Sequence, residues 1–341
     1  MKPQTVTSAD VAKHAGVSQS TVSRSFNPSS RISDKTREKV FAAARELGYQ
    51  VNKAAQTMIR QRSDLVGLVT AGLTDPFRAE FLNALICETQ RKGLRPMVID
   101  VSDPETIDSS IQSLFQYQVS GIIVTSCTPS ETVATEFLKR GVPVTLVNRA
   151  DSFGNADIVN IDNLSGGQLA AQSLLKNGCK HLAVVRASQN SFSSVVRTQG
   201  FIDYLSQHAQ SNEIQVEEIH CVSGDYDGGY QIASALLERP ERPDGVFFCM
   251  DNIACGFVDA VRNQYGLSIP SDIAVIGFDD IQIASYQAYN LTTIRQCPKT
   301  VAEQAIESLL RRLEEPEAPA QTYTIPVETI YRHTLPAPSP E

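Results

Sequence analysis

The 341-residue chain contains no tryptophan, four methionines and five histidines. No stretch approaches the roughly 18 consecutive apolar residues of a membrane helix, and residues 2–30 hold no apolar run of signal-peptide length. A soluble cytoplasmic protein with no membrane partner is therefore expected. The motifs G-x-G-x-x-G, the P-loop, G-x-S-x-G and H-E-x-x-H are all missing. Their absence removes the usual marks of dinucleotide, nucleoside triphosphate, hydrolase and metalloprotease chemistry, so neither catalysis nor a cofactor is expected. The seven cysteines are odd in number, form no C-x-x-C pair and lie mostly in apolar segments, which favours reduced packing residues over disulfide, redox or metal use. His14 and His181 sit in apolar contexts, and no His/Cys spacing suggests a metal.

The charge that is present is divided unevenly. Residues 1–63 carry eleven Lys and Arg against four Asp and Glu, net +7; residues 64–341 carry nineteen against thirty-four, net −15. Phosphate neutralisation supplies most non-specific DNA affinity, so the first 63 residues are expected to meet a polyanion and the remainder not.

Inside the basic segment, Thr7 to Asn27 reads as two short helices and a tight turn. Thr7 can cap the first helix with Asp10 completing a capping box, and Val11, Ala12 and Ala15 share an apolar face. Gly16 breaks the helix, Val17 plugs the core, and Ser18 caps a second helix, Gln19 to Phe26, with Val22 and Phe26 apolar. An ordinary helical hairpin with a polar face is the plainer reading. A helix-turn-helix instead places its second helix in the major groove, making the outward Gln19, Ser20, Ser23 and Arg24 the candidate base readers. Ser33 caps a third helix that ends at Leu47 before Gly48, completing a small headpiece. In the linker that follows, Asn52 can cap a short helix over Lys53 to Arg60, too short to be stable without a partner.

From Leu65 the pattern changes to apolar strands alternating with amphipathic helices. Strands are predicted at 65–70, 96–101, 121–126, 142–148, 158–161, 181–186, 217–222, 245–249 and 273–278, with helices between most of them. Such alternation means parallel sheets covered by helices on both faces. Roughly ten strands exceed one small twisted sheet, so the fold class is α/β: a helix-turn-helix headpiece followed by two Rossmann-like lobes. The segments 291–296, 299–314 and 323–332 are expected to cross back and complete both lobes. Gly166-Gly167 and Gly228-Gly229 read as residues that ease helix starts.

These residues resemble the LacI/GalR family of bacterial transcription regulators over essentially the whole chain. The matching stretches include TSADVAKHAGVSQSTVSRSFN, ISDKTREKVFAAARELGYQVNKAAQTM, DPFRAEFLNAL, NIDNLSGGQLAAQSL, RTQGF, GDYDGGYQIASALL, IPSDIAVIGFDDI and LTTIRQ. The resemblance implies a homodimer on pseudopalindromic double-stranded operator DNA, hinge helices in the minor groove, and a small effector between two periplasmic-binding-protein-like lobes. The implied domains are a headpiece over 1–50, a hinge helix and linker over 51–63, a two-lobed core over 64–335 and a disordered tail over 336–341. The candidate DNA-binding set comprises Thr7, Ser18, Gln19, Ser20, Thr21, Ser23, Arg24 and Asn27, continued by Asn52, Lys53, Ala55 and Met58. Met58 stands where the family usually has Leu, and is itself an apolar wedge for a base step. Met250 stands where sugar-binding members often have Asn. C-terminal leucine heptads are absent, which favours a dimer over a tetramer.

Ligands of open α/β sheets bind beyond the carboxyl ends of strands. The effector candidates are accordingly Phe77, Arg78, Asn148, Arg149, Asp162, Ser191, Ser193, Arg197, Tyr226, Asp251 and Asp279. The resemblance ranks Arg197, in R-x-x-G-F, first and Asp279 next. Phe77 and Tyr226 can face a ring, while Asp162 and Asp279 can accept from hydroxyls or merely cap the next segment. Arg78, Arg149 and Arg197 together would favour a phosphate or carboxylate. A solute-binding protein of transport is the alternative with the same two lobes, but it needs an export signal and no basic headpiece. A cytoplasmic, nucleoid-associated, effector-responsive regulator, in the first place a repressor, fits all the features.

Overall fold

The computed structural model describes residues 6–26, 30–49, 63–125, 130–150, 154–187, 191–208 and 214–338. Asn27, Asn52, Lys53, Ala55, Met58 and the short helix expected over 53–60 lie outside these residues. The chain divides into two units, Met1–Ser63 and Asp64–Glu341.

The first unit is a three-helix cluster of α1 (Ser8–Ala15), α2 (Gln19–Ser25) and α3 (Asp34–Leu47). Each start is fixed by a side chain: Thr7, Ser18 and Ser33 accept from Asp10, Thr21 and Thr36 backbone N–H groups. Gly16 and Gly48, at φ 59° and 67°, stop α1 and α3 in the left-handed region that side chains disfavour. Val11, Ala12, Ala15, Val22, Val40, Ala43 and Ala44 form the core, with Val17 and Phe26 packed on it.

The second unit holds two six-stranded sheets of the same design. The first lobe runs β1 (Leu65–Thr70), α4 (Pro76–Arg91), β2 (Arg95–Asp100), α5 (Ile107–Gln116), β3 (Gly121–Val124), α6 (Ser130–Lys139), β4 (Val144–Val147) and β5 (Asp157–Ile161). The second runs α7 (Asn163–Lys176), β6 (His181–Ala187), α8 (Phe192–His208), β7 (Gln215–Cys221), α9 (Tyr226–Leu237), β8 (Gly245–Phe248), α10 (Asp251–Asn263), β9 (Ala274–Asp279) and β10 (Thr292–Arg295). Then α11 (Pro298–Glu314) and β11 (Thr322–Ile325) return to the first lobe, and β12 (Glu328–Ile330) to the second. The sheet orders are β2-β1-β3-β4-β5-β11 and β7-β6-β8-β9-β10-β12. All pairs are parallel except β10 with β12. Strands β1, β3, β4, β8 and β9 are almost wholly buried, as strands covered on both faces must be, whereas the edge strands β2 and β7 alternate.

The segment 323–332, expected to help complete both lobes, does so as two strands in different sheets. Pro326 has no N–H to continue a ladder, and the chain leaves one lobe there for the other. The cysteine expectation holds for Cys179, Cys221, Cys249 and Cys255, which are buried; Cys87 and Cys297 are exposed. Among the described residues no helix is long and apolar enough to cross a membrane.

A buried acid fastens the returning helix. Asp157, fully buried at the start of β5, accepts from Ser308 Oγ at 2.7 Å, Arg311 Nη2 at 2.6 Å, Arg312 Nε at 2.9 Å and the Gln321 N–H at 2.9 Å. Burial alone would raise its pKa, but these donors hold it below the ordinary carboxylate value. An acid with a lowered folded pKa contributes stability above its unfolded pKa and loses it as pH falls through the folded one. Asp157→Asn is therefore expected to remove part of the acid sensitivity. Its urea midpoint should fall less than the parent's between about pH 5 and pH 3, and parallel declines would contradict the role given to this acid.

Candidate functional site

In the headpiece, the second helix shows one face to solvent. Gln19, Ser20, Ser23 and Arg24 are exposed while Val22 and Ser25 are buried. The orientation follows from the turn: Val17 N–H bonds Ala12 O at 3.0 Å, and Ser18 Oγ caps Thr21. Thr7 N–H bonds Asp10 Oδ2 at 2.9 Å in the reciprocal half of the capping box, and the Thr7 hydroxyl and N–H hold the Asp10 pKa down. Two of these exposed side chains meet neighbours within the headpiece. Gln19 Nε2 donates to Ser8 Oγ at 2.8 Å, and Arg24 Nε leans on Ser20 O at 3.4 Å. Both groups are amide or guanidinium donors of the kind that read purine edges.

In the two-lobed unit, a cavity of about 630 Å³ opens beyond the carboxyl ends of the strands. Its walls are helix starts and the loops before them: Gly72, Thr74, Asp75 and Arg78 at α4, Ser191 and Ser194 at α8, Val222 to Asp225 before α9, and Met250 and Asn252 at α10, with Ala187. Asp75, Ser191 and Asp225 cap their helices by accepting from Arg78, Ser194 and Gly228 backbone N–H groups. Met250 makes no such cap on α10.

Helices α8, α9 and α10 are held by backbone-on-backbone packing. A Cβ on Gly167 would lie 2.0 Å from Arg197 O, and one on Gly200 2.1 Å from Leu164 O, so α7 and α8 touch through their main chains. Gly229 and Gly256 do the same for α9 and α10, at 1.9 Å from Ile253 O and Tyr226 O. Gly167 and Gly229 thus serve helix–helix contact, a correction to the reading of these pairs as helix-start residues. Nothing local in the sequence distinguishes the two uses.

Next to the cavity-lining Met250, at Cys249, lies a buried ion pair. Arg197, 4 % exposed, gives Nη1 to Asp279 Oδ1 at 3.2 Å and to Cys249 O at 2.7 Å, gives Nε to Asn163 Oδ1 at 2.9 Å, and stacks 3.5 Å from the centre of the Phe278 ring. Gln296 Nε2 also donates to Asp279 Oδ1. Asp279 takes φ 118°, a conformation rare for a residue with a side chain. Burial pushes its carboxyl up to about 7, against the pull of Arg197. Asp251 accepts from Thr293 Oγ1 at 2.6 Å and Ile281 N–H at 3.0 Å; burial, and then the Asp279 charge, push its pKa well up.

Of the residues nominated from sequence, Arg78 and Ser191 line the cavity, whereas Arg197, Asp279 and Asp251 are buried outside its described lining. The others meet different neighbours. Asn148, at φ 54°, accepts from Ile161 N–H at 3.0 Å; Arg149 reaches Thr125 O at 3.0 Å; and Asp162 caps α7 through Ser165 N–H at 3.1 Å. Tyr226 gives its hydroxyl to Asp259 at 2.7 Å, which together with burial lifts its pKa to about 12. Phe77 packs into the apolar core, and Ser193 is half-buried at the start of α8. Thr74, Asp75, Ser194, Ser223, Asp225 and Asn252 line the cavity without having been nominated. Three of them carry a signal: Asp75, Ser223 and Asp225 are Ser or Asp residues placed between a strand and a helix.

Two family models match the chain: bacterial regulatory proteins of the lacI family over residues 7–52, and the periplasmic-binding-protein-like domain over 171–335. The ribose operon repressor of Escherichia coli (strain K12) is 30 % identical over 315 residues, covering 91 % of this chain and 94 % of the relative. This chain belongs to the lacI family. It is a DNA-binding transcriptional regulator. The repressor PurR of Mannheimia succiniciproducens is 28 % identical over 96 % of the chain and 97 % of that protein. Among solved structures, the lac repressor dimer bound to operator and the anti-inducer ONPF matches with a TM-score of 0.85 at 28 % identity, covering 98 % of this chain and 100 % of that one. A family regulator from Enterococcus faecium with bound ribose matches with a TM-score of 0.72 at 26 % identity, over 81 % of this chain and 100 % of the other.

Proposed function

We propose that this regulator is a cytoplasmic, non-catalytic repressor that binds a pseudopalindromic operator as a homodimer and is controlled by a small polyhydroxylated metabolite in the cavity. The single observation that carries the DNA half is the capped second helix, with Gln19, Ser20, Ser23 and Arg24 exposed on one face over a buried Val22. Headpiece residues 1–50 read the half-sites, and the hinge over 51–63, with Lys53, Ala55 and Met58, supplies minor-groove contacts. A solute-binding role leaves the basic headpiece without a use and is set aside.

The effector half rests on the lining. Hydroxyls of Thr74, Ser191, Ser194 and Ser223, the Asn252 amide, two carboxylates and one guanidinium suit a small ligand rich in hydroxyl groups, and no aromatic ring is among the described lining residues. The ribose operon repressors among the relatives make D-ribose the first compound to try. A thermal-shift series with ribose, other pentoses, sugar phosphates and purines is expected to raise Tm for one class only, by mass action on the native state. The same compound should change operator affinity at concentrations that raise Tm. A compound that raises Tm while leaving operator affinity unchanged at saturation would overturn the control assigned to the cavity.

A further inference from the structure

The two lobes line the cavity with different chemistry. Among the described lining residues the first lobe gives Gly72, Thr74, Asp75 and Arg78, none of them apolar in its side chain beyond glycine. All three apolar side chains of that lining, Ala187, Val222 and Met250, come from the second lobe. They stand at the carboxyl ends of three neighbouring strands: Ala187 closes β6, Val222 follows β7, and Met250 comes two residues after β8. Val222 is 85 % exposed. A single exposed valine means little, but this one belongs to a row of apolar side chains along one side of a cavity. Gly224, also in the lining, leaves the row uncovered. A Cβ there would lie 3.2 Å from Ala187 Cβ and 3.8 Å from Met250 Sδ, so both half-buried side chains face the point that a side chain on Gly224 would fill.

Much of the second lobe's polar lining is turned on itself. Ser191 Oγ donates to Ser194 Oγ at 3.2 Å and accepts from the Ser194 N–H. Ser223 Oγ donates to Asp225 Oδ1, which also accepts from the Gly228 N–H at 3.0 Å. A ligand hydroxyl set against Ala187, Val222 and Met250 gives up its hydrogen bonds to water and gets none back from them. A methyl or methylene in the same place gains by leaving water.

We propose that the effector is a sugar with one apolar edge: its hydroxyls turn toward Thr74, Asp75 and Arg78, and a deoxygenated carbon or an alkyl group rests on Ala187, Val222 and Met250. This deepens the reading of the cavity as the effector site and rests on it.

Calorimetric titration of the full-length protein with matched compounds tests the inference. The series are 5-deoxy-D-ribose and methyl β-D-ribofuranoside against D-ribose, D-fucose and methyl β-D-galactoside against D-galactose, and L-rhamnose against L-mannose. In at least one series the member with the apolar edge should bind about tenfold tighter or more, the discrimination that an apolar pocket gives for one carbon group. The deoxy and the methyl-glycoside arms separate a deoxygenated carbon from an alkyl group. Met250→Asn places an amide in the row and should cut that preference to about threefold or less, because the hydroxyl then finds a partner. A variant that is merely less stable leaves the ratio within a series unchanged, so the ratio reads the contact itself. Should Met250→Asn fail to fold, Val222→Asn, at an exposed position, makes the same comparison. A fully hydroxylated sugar that binds as tightly as its matched compounds in every series that binds, or a variant that keeps the parent's ratio, would overturn the inference and leave the cavity its role. Binding of no compound in any series would overturn the reading of the cavity, and the inference with it.

Discussion

Arg197→Ala is expected to lower the stability of the core by about 3–5 kcal/mol, the usual consequence of removing one member of a buried ion pair. The loss has identifiable parts. Asp279 keeps its buried carboxylate without the cation, Cys249 O and Asn163 Oδ1 lose their donor, and Phe278 loses the stacked guanidinium. The headpiece belongs to a separate unit and should still fold. The sign of the pH dependence follows from Asp279. Its folded pKa of about 7 lies above that of an unfolded Asp, so its ionisation works against the fold, with a penalty that grows from about pH 4 and levels off above 7. Removing Arg197 raises that pKa further and carries the penalty to higher pH. The stability deficit of the variant should therefore be larger at pH 8 than at pH 5.5. Urea titrations at both values check this, and equal deficits would mean that Asp279 is not the group left stranded. If the ligand draws on the same pair, the variant should also lose most of its effector response.

Gly229→Ala should cost about 1–3 kcal/mol or more, the range for overpacking a close-packed core. The new methyl would lie 1.9 Å from Ile253 O and 2.7 Å from its carbonyl carbon. A backbone carbonyl cannot swing aside as a side chain does, so α9 and α10 must separate, and both carry cavity wall at their N-termini. Ser234→Ala, at an exposed position of the same helix, is the control and should stay within about 0.5 kcal/mol of the parent. A Tm for Gly229→Ala within a degree or two of that control would show that the helix pair yields more easily than its contact distances imply.

How far the sequence could be read depended on the range of the interactions involved. Helix ends in the headpiece were legible because Thr7, Ser18, Ser33, Gly16 and Gly48 act on backbone within four residues of themselves. Strands β1, β3 and β9 were legible because burial on both faces demands continuous apolar runs. Pairing was not, and the switch of lobe at Pro326 emerged only from the sheets. The rule that ligands sit after strands led to loops that line the cavity, yet it could not separate lining side chains from buried ones. Arg78 and Arg197 both follow strands, but Arg78 lines the cavity while Arg197, on the helix packed against α7, is buried against Asn163 and Asp279. Asp162 illustrates the same limit, since a helix cap and a ligand acceptor have one sequence signature.

The central claim is that the exposed face of the second headpiece helix reads a defined DNA sequence, and selection of bound duplexes from a randomised pool tests it most directly. The full-length parent should enrich one pseudopalindrome at moderate salt. Arg24→Ala should lose about 1–3 kcal/mol of discrimination at one base pair in each half-site, the amount carried by a bidentate contact to guanine, while keeping the rest of the consensus. A parent that enriches no sequence over the starting pool, or an Arg24→Ala protein with the parent's full preference, would contradict the account.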